Sequence, residues 1–332
     1  MVLLLTVGPA IAAYVLIVVL MPVLRRYALA RPNARSSHHT PTPQGAGIAV
    51  IVVLIAMTAI LAAALPEFRI DVLIPVLAAT GILALVGAID DIWTLEVIPR
   101  LAIQSLAVII VIATLPHGFQ ILPVVPTLLE RGLMFVALLW FVNLMNFMDG
   151  IDWMTVAETV NLTAALAVFG MMGALPMNAT AVALGLCGSI IGFAPLNRPV
   201  ARVFLGDVGS LPLGLLLGWL LLLLAENHLA AAILLPLYYV SDATLTLLRR
   251  LTNGERVMQA HRSHFYQRAM NNGLSASRIV GRVALLNLAL AALAALTLLA
   301  EALYIQLSAV FAGCLLVAWT LHSFQKRHAP KA

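Results

Sequence analysis

Eleven mostly apolar stretches follow one another along this chain, and no long polar block separates them. They run near Leu3 to Leu24, Ile48 to Leu65, Val72 to Ile89, Leu101 to Leu115, Leu128 to Met145, Val160 to Leu175, Ala179 to Leu196, Leu211 to Ala225, Leu229 to Leu248, Val283 to Leu299 and Leu303 to Leu321. A helix crossing about 30 Å of hydrocarbon needs roughly 17–25 such residues. Inside lipid every backbone N–H and C=O must find its partner within the protein, which an α-helix achieves within one segment. The expected fold is therefore all-α, a polytopic integral membrane protein of about eleven transmembrane helices. The fourth and eighth stretches are the shortest.

Composition agrees, with 62% of the 332 residues hydrophobic and only 10% charged. A soluble domain carries about 25% charged residues. No soluble domain or domain boundary is evident, so residues 1–332 read as one membrane domain. The first apolar run starts at Met1 with no basic residue before it and no small-residue cleavage motif, and is read as a retained helix. Cys187 and Cys314 lie inside apolar runs without the spacing of a metal or redox motif.

The charges choose a side. With the N-terminus outside, alternate crossings place 17 of the 19 Lys and Arg in the cytoplasm, leaving only Arg69 and Arg131 outside. The C-terminus is then cytoplasmic. Basic loops beside anionic lipid headgroups account for the pI of 9.6 without any nucleic acid. Asp90, Asp91, Asp149, Asp152 and Asp207, which did not enter that count, emerge at the same edge, so one cytoplasmic cleft can hold them all. External loops such as Pro66 to Asp71 and Ala225 to His228 are very short. Pro116 to Thr127 reads as a surface loop or short hairpin.

Polar groups so close to a bilayer are costly and point to a site. Asn143, Asn146, Asp149 and Asp152 recur every third residue, which on a continuing helix makes one slowly rotating stripe. The alternative is a capped helix end followed by a turn at Gly150. Asp90-Asp91 closes the third span, where the macrodipole favours cations, so something positive is expected beside it. Asp207 lies in Phe204-Leu-Gly-Asp-Val-Gly-Ser210. There two glycines permit a tight turn, and the next helix presents free N–H groups to an anion, unless the segment is a plain turn between spans. His261-Arg-Ser-His264 sits in the longest basic loop, either as a membrane-surface segment or as a clamp on a diphosphate. Arg35 to Gly47 is a Pro- and Gly-punctuated loop suited to lining a cleft. Glu67, Glu130, Glu226 and Glu301 read as solvated ends, and Asp242 as a buried structural hydrogen-bonding group.

From about Arg35 to Arg268 the chain resembles the polyprenyl-phosphate N-acetylhexosamine-1-phosphate transferases. Five elements match in order: the TPTPQGAG loop, Asp90-Asp91 with Arg100 downstream, NLMNFMDGID, the Asn197 to Ser210 stretch, and the loop HRSHFYQR. The resemblance implies Mg²⁺, or Mn²⁺ in its place, on Asp207 with Asn146 close by. It implies Asp90 and Asp91 as catalytic acids, working with Asp207, and His261, Arg262 and His264 on the pyrophosphate side. Asn197 and Phe204 become uridine contacts, Phe204 by stacking, and Asp149 and Asp152 line the nucleotide and sugar-phosphate pocket. Asn143, Thr42 and Gly45 join the substrate-binding set.

Where the peptidoglycan enzymes carry three consecutive histidines and a glutamate, this chain reads HRSHFYQR. His39 replaces a lysine of many relatives, and no basic residue lies between Asp91 and Arg100. These departures point away from a muramoyl-pentapeptide donor. They resemble the branch that initiates O-antigen, lipopolysaccharide or other surface polysaccharides from a UDP-N-acetylhexosamine and undecaprenyl phosphate at the inner membrane. An ion-coupled transporter is the rival class. It is disfavoured by the lack of an internal repeat and by carboxylates at span ends rather than midplane.

Overall fold

The computed structural model describes residues 2–30, 41–256, 261–300 and 302–327. Helices dominate them: α1 (Val2–Tyr27), α2 (Gly47–Ala64), α3 (Ile70–Ile92), α4 (Val97–Ala113), α5 (Thr127–Met148), α6 (Met154–Met171), α7 (Met177–Phe193), α8 (Asp207–Leu234), α9 (Leu237–Thr252), the short α10 (Phe265–Asn271), α11 (Ala276–Leu299) and α12 (Leu303–Gln325). The protein is an all-α, multi-pass membrane protein. Eight of these helices are long and apolar enough to cross a bilayer, and α4 and α7 are shorter apolar helices. A two-residue antiparallel pair, β1 (Leu29–Ala30) with β2 (Thr42–Pro43), ties the end of α1 to the entry of α2.

Two of the expected spans have different limits. The eighth and ninth run into one another: α8 is two helices merged across His228, whose φ of −136° and ψ of 57° leave the helical region, so the break expected at Ala225 to His228 is a kink rather than a loop. The ninth is broken at Leu235-Pro236, because proline lacks the N–H that a helix interior needs, and α9 restarts directly after it. Glu130 is a further correction. It is buried rather than a solvated end, and its Oε1 accepts hydrogen bonds from Ile121 N (2.8 Å) and Leu122 N (2.6 Å). A carboxylate can replace water as the partner of loop amides, which is how the Pro116 to Thr127 segment is pinned to α5.

The core is built around α8. Most of its residues are buried, and it packs against α3 and α5 most extensively, with α11, α2 and α12 completing the enclosure. By contrast α1 and α12 keep large apolar chains such as Leu3, Ile11, Phe311 and Trp319 outward. Apolar residues on both sides of a helix interface supply little preference over lipid, so close packing of small residues decides the contact. Gly87 of α3 shows it best. A Cβ there would overlap the main chain of Asp207 and Val208, so the C-terminal end of α3 lies directly on the first turn of α8. That crossing brings Asp90 and Asp91 to Asp207.

Candidate active site

The site forms at one end of the bundle, where α3 and α5 end and α8 begins. Gly206 sets the start of α8 with φ +78°, a left-handed backbone that residues with a Cβ rarely adopt. A Cβ there would also collide with the Asp91 carboxylate. Asp91 reaches across to this helix start: Oδ1 accepts from Asp207 N (2.9 Å) and Oδ2 from Val208 N (3.2 Å). The carboxylate therefore does the work of an N-cap for α8, delivered from another helix. The favourable sign of the α8 dipole offsets the unfavourable one at the end of α3.

Asp90 points elsewhere. Its Oδ1 accepts from Leu95 N (2.6 Å) and its Oδ2 from Arg100 Nη1 (2.7 Å). The same Arg100 nitrogen lies 3.7 Å from Asp207 Oδ2, so one guanidinium stands between two carboxylates. The positive group expected beside the Asp pair is thus Arg100 on α4. Asn146 donates from its side-chain amide to Asp207 Oδ1 (2.7 Å) and to Ser210 Oγ (3.0 Å), which holds the Asp207 carboxylate in one orientation.

Around this centre the proposed substrate residues divide into groups. The single stripe of Asn143, Asn146, Asp149 and Asp152 does not exist, because α5 stops at Met148 and the chain turns away. Asn143 faces α4, donating to Gln104 Oε1 (2.9 Å), and Asp149 caps the end of α5 and accepts from Thr155 Oγ1 (2.5 Å). Residue Asp149 is half-buried, yet protein encloses its carboxyl. Desolvation pushes it up to about 7, with Thr155 pulling the other way and Asp91 and Asp152 adding to the rise. Asp152 is buried and its Oδ2 accepts from Ala201 N (3.0 Å).

Asn197, also buried, accepts at Oδ1 from Trp153 N (2.8 Å) and donates from Nδ2 to Val203 O (3.0 Å). Trp153 has φ +66°, and this bond with the Trp153 Nε1 donation to Ala194 O (2.7 Å) holds that backbone in place. Asp152 and Asn197 therefore lace the 151–153 turn to the 197–204 loop.

The proline-rich loop docks on the same wall. Phe204 N donates to Pro43 O (2.8 Å), while Gly45 N (3.2 Å) and Ala46 N (3.1 Å) donate to Phe204 O. Gly45 takes φ +104° to turn into α2, and Thr42 is buried in β2. Gln44 Nε2 donates to Asp91 O (2.7 Å), which links this loop to the acidic pair. Residues 31–40, including Arg35 and His39, lie outside the described residues. Across the site His261 and His264 stack with ring centroids 4.9 Å apart, His264 is buried, and Arg262 beside them is half-buried.

The centre thus sets three carboxylates, whose oxygens are hard donors, against one guanidinium. Among the described residues no group of three or more His, Cys, Asp or Glu is disposed as a complete metal cage. Mg²⁺ does not require one, since it is usually held by one or two carboxylates plus substrate phosphates and water. The donor set and its net negative charge fit such an ion. Arg100, Gln44, Thr155 and Ser210 were not singled out as site residues from the sequence. Arg100 carried a signal as a lone basic residue after the Asp pair, and Gln44 and Ser210 lay inside quoted motifs, whereas Thr155 carried none.

Residues 73–225 match the family model for glycosyl transferase family 4, a stretch that contains every carboxylate of the site. A decaprenyl-phosphate N-acetylglucosaminephosphotransferase of Mycobacterium tuberculosis is 30% identical over 292 residues, covering 76% of this chain and 71% of the relative. The chain belongs to glycosyltransferase family 4. Within the family it is also similar to a "Probable undecaprenyl-phosphate N-acetylglucosaminyl 1-phosphate transferase" of Bacillus subtilis, 27% identical over 282 residues (80% of this chain, 77% of the relative). A phospho-N-acetylmuramoyl-pentapeptide-transferase of Streptococcus pneumoniae is 27% identical over 246 residues (68% of this chain, 73% of the relative). The longer matches are to the N-acetylglucosamine-phosphate enzymes, which is consistent with the departures that point away from the muramoyl-pentapeptide branch.

The capping geometry makes one expectation direct. Asp91→Ala removes both acceptor oxygens from the Asp207 and Val208 N–H groups, so it should lower stability in detergent by about 1–2 kcal/mol, the range for a lost helix cap. Thermal unfolding of the purified variant measures it, and an unchanged midpoint would show that Asp91 does not serve as the α8 cap.

Proposed function

We propose that this protein transfers N-acetylhexosamine-1-phosphate from a UDP-sugar to a membrane polyprenyl phosphate, releasing UMP and starting a lipid-linked surface glycan of the O-antigen type. The observation that carries this reading is the Asp90–Arg100–Asp207 cluster, phosphate-handling chemistry placed where apolar helices end. A lipid-tailed acceptor and a water-soluble donor can meet only at such an edge. The relatives support the same class of reaction through their names. The site faces the cytoplasm in this reading, with an external N-terminus and eleven crossings.

An oxygen of the acceptor phosphate attacks the sugar-bearing β-phosphorus of the donor. The bond from that phosphorus to the bridging oxygen breaks, and the oxygen leaves with UMP, while the sugar C–O bond is untouched. Catalysis is then mostly positioning and neutralisation of charge. Asp207, oriented by Asn146, would hold Mg²⁺, which supplies neutralisation of the diphosphate oxygens when bound. Arg100 adds a fixed positive charge beside them, and Asp90 keeps that guanidinium in place. Arg262 grips phosphate through its paired donors, and Phe204 offers a face for the uracil ring. Asp152 and Asn197 maintain the wall that carries Phe204.

The test is direct. Purified protein with radiolabelled UDP-N-acetylglucosamine, polyprenyl phosphate and Mg²⁺ should move label into the organic phase and release UMP. A panel of UDP-N-acetylhexosamines then identifies the sugar, and absence of extractable label with every donor would overturn the proposal.

A further inference from the structure

Asp242 of α9 is fully buried, and five donors converge on its carboxylate. Oδ1 accepts from Phe265 N (3.0 Å) and Thr246 Oγ1 (3.4 Å) and lies 3.2 Å from His264 Nδ1, while Oδ2 accepts from Tyr266 N (3.2 Å) and Tyr238 OH (3.2 Å). Three of these five come from His264, the last residue of the HRSH motif, and the two residues after it. Arg249, two turns along α9, adds a donation to Ser263 O (2.6 Å). The loop is thus bolted to α9 mainly through one carboxylate.

Beyond this clamp the loop reaches the rest of the site. His264 is stacked between His261 (4.9 Å) and Tyr266 (5.7 Å), and the Tyr266 hydroxyl donates to Phe147 O (3.0 Å), two residues before Asp149. An unbroken run of contacts therefore joins Asp242 to the His/Arg loop and to the end of α5.

We propose that Asp242 is a positioning residue. It sets where His261, Arg262 and His264 stand relative to the carboxylate cluster, and it acts through His264 and the first two amides of α10. The inference rests on the proposed transferase reading for its effect on turnover, but the clamp itself is a matter of structure.

Asp242→Asn keeps the shape while turning one acceptor into a donor that faces two N–H or O–H groups. Turnover should fall roughly 10-fold or more, as for other residues that orient a working side chain. The double variant Asp242→Asn/His264→Ala should be about as slow as His264→Ala alone, because both changes remove one arrangement. A merely structural role predicts instead that the two losses multiply, and that result would overturn the proposal, as would a near-normal rate in Asp242→Asn. Asp242→Glu covers the case of misfolding. It retains a buried carboxylate for the same donors but displaces it by a methylene, so it should fold and still turn over slowly, and a wild-type rate would again overturn the idea. Amide exchange at Phe265 and Tyr266 reads the clamp without any turnover. Faster exchange in Asp242→Asn is expected, and unchanged protection would refute the clamp even if the wild-type protein proved inactive as a transferase.

Discussion

Asp207→Asn is expected to lose turnover by on the order of 10²–10³-fold at ordinary Mg²⁺ concentrations, the scale for removing one group that stabilises developing charge, with partial recovery in excess Mg²⁺. The substitution preserves volume and the helix start but replaces an anionic oxygen that a hard cation prefers. Which oxygen matters follows from the geometry. Oδ1 is occupied by the Asn146 amide at 2.7 Å, whereas Oδ2 faces Arg100 at 3.7 Å and is the oxygen directed to the space between the carboxylates. The measurement is turnover against Mg²⁺ concentration, with metal binding read separately by calorimetry. Near-normal turnover and metal affinity in this variant would remove the metal from Asp207.

Asp90→Asn is expected to be comparably harmful for a different reason, with a loss of about 10²-fold that no Mg²⁺ concentration restores. Its carboxylate has 7% side-chain exposure and grips Arg100 at 2.7 Å, so the neutral variant releases the guanidinium that neutralises phosphate charge. Breaking one partner of such a pair leaves the other charge without its counterpart. UDP-sugar binding should be largely kept if Arg100 acts mainly as charge develops, which separates this variant from Asp207→Asn. Full rescue by added metal would place Asp90 among the metal ligands alone and undo the Arg100 argument.

These two acids share Arg100 yet are held by different second partners, Asp90 by Leu95 N and Asp207 by Asn146, and their neighbour Asp91 differs again by capping α8. Adjacent residues on a helix project about 100° apart, so a pair such as Asp90-Asp91 necessarily addresses two directions. What lies in each direction depends on α4 and α8, which arrive from elsewhere in the chain.

The apolar runs by themselves determined the membrane-embedded helical class, because hydrocarbon allows backbone polar groups few alternatives to the helix. The acidic pair, NLMNFMDGID, the glycine-flanked Asp207 and the His/Arg loop were equally legible, since polar groups at the ends of apolar spans are too costly to be incidental. Tertiary structure alone decided which partner each received. Local spacing suggested one stripe from Asn143 to Asp152, but α5 ends at Met148, and the four side chains go to Gln104, Asp207, Thr155 and Ala201. Glu130 looked solvated because its loop partners lie across a turn, and the full set of donors on Asp242 was invisible because three come from residues more than twenty positions away. Period and composition report what surrounds a helix on average. Which donor meets which carboxylate is set by helix crossings such as that at Gly87, where contact depends on residues far apart in the chain.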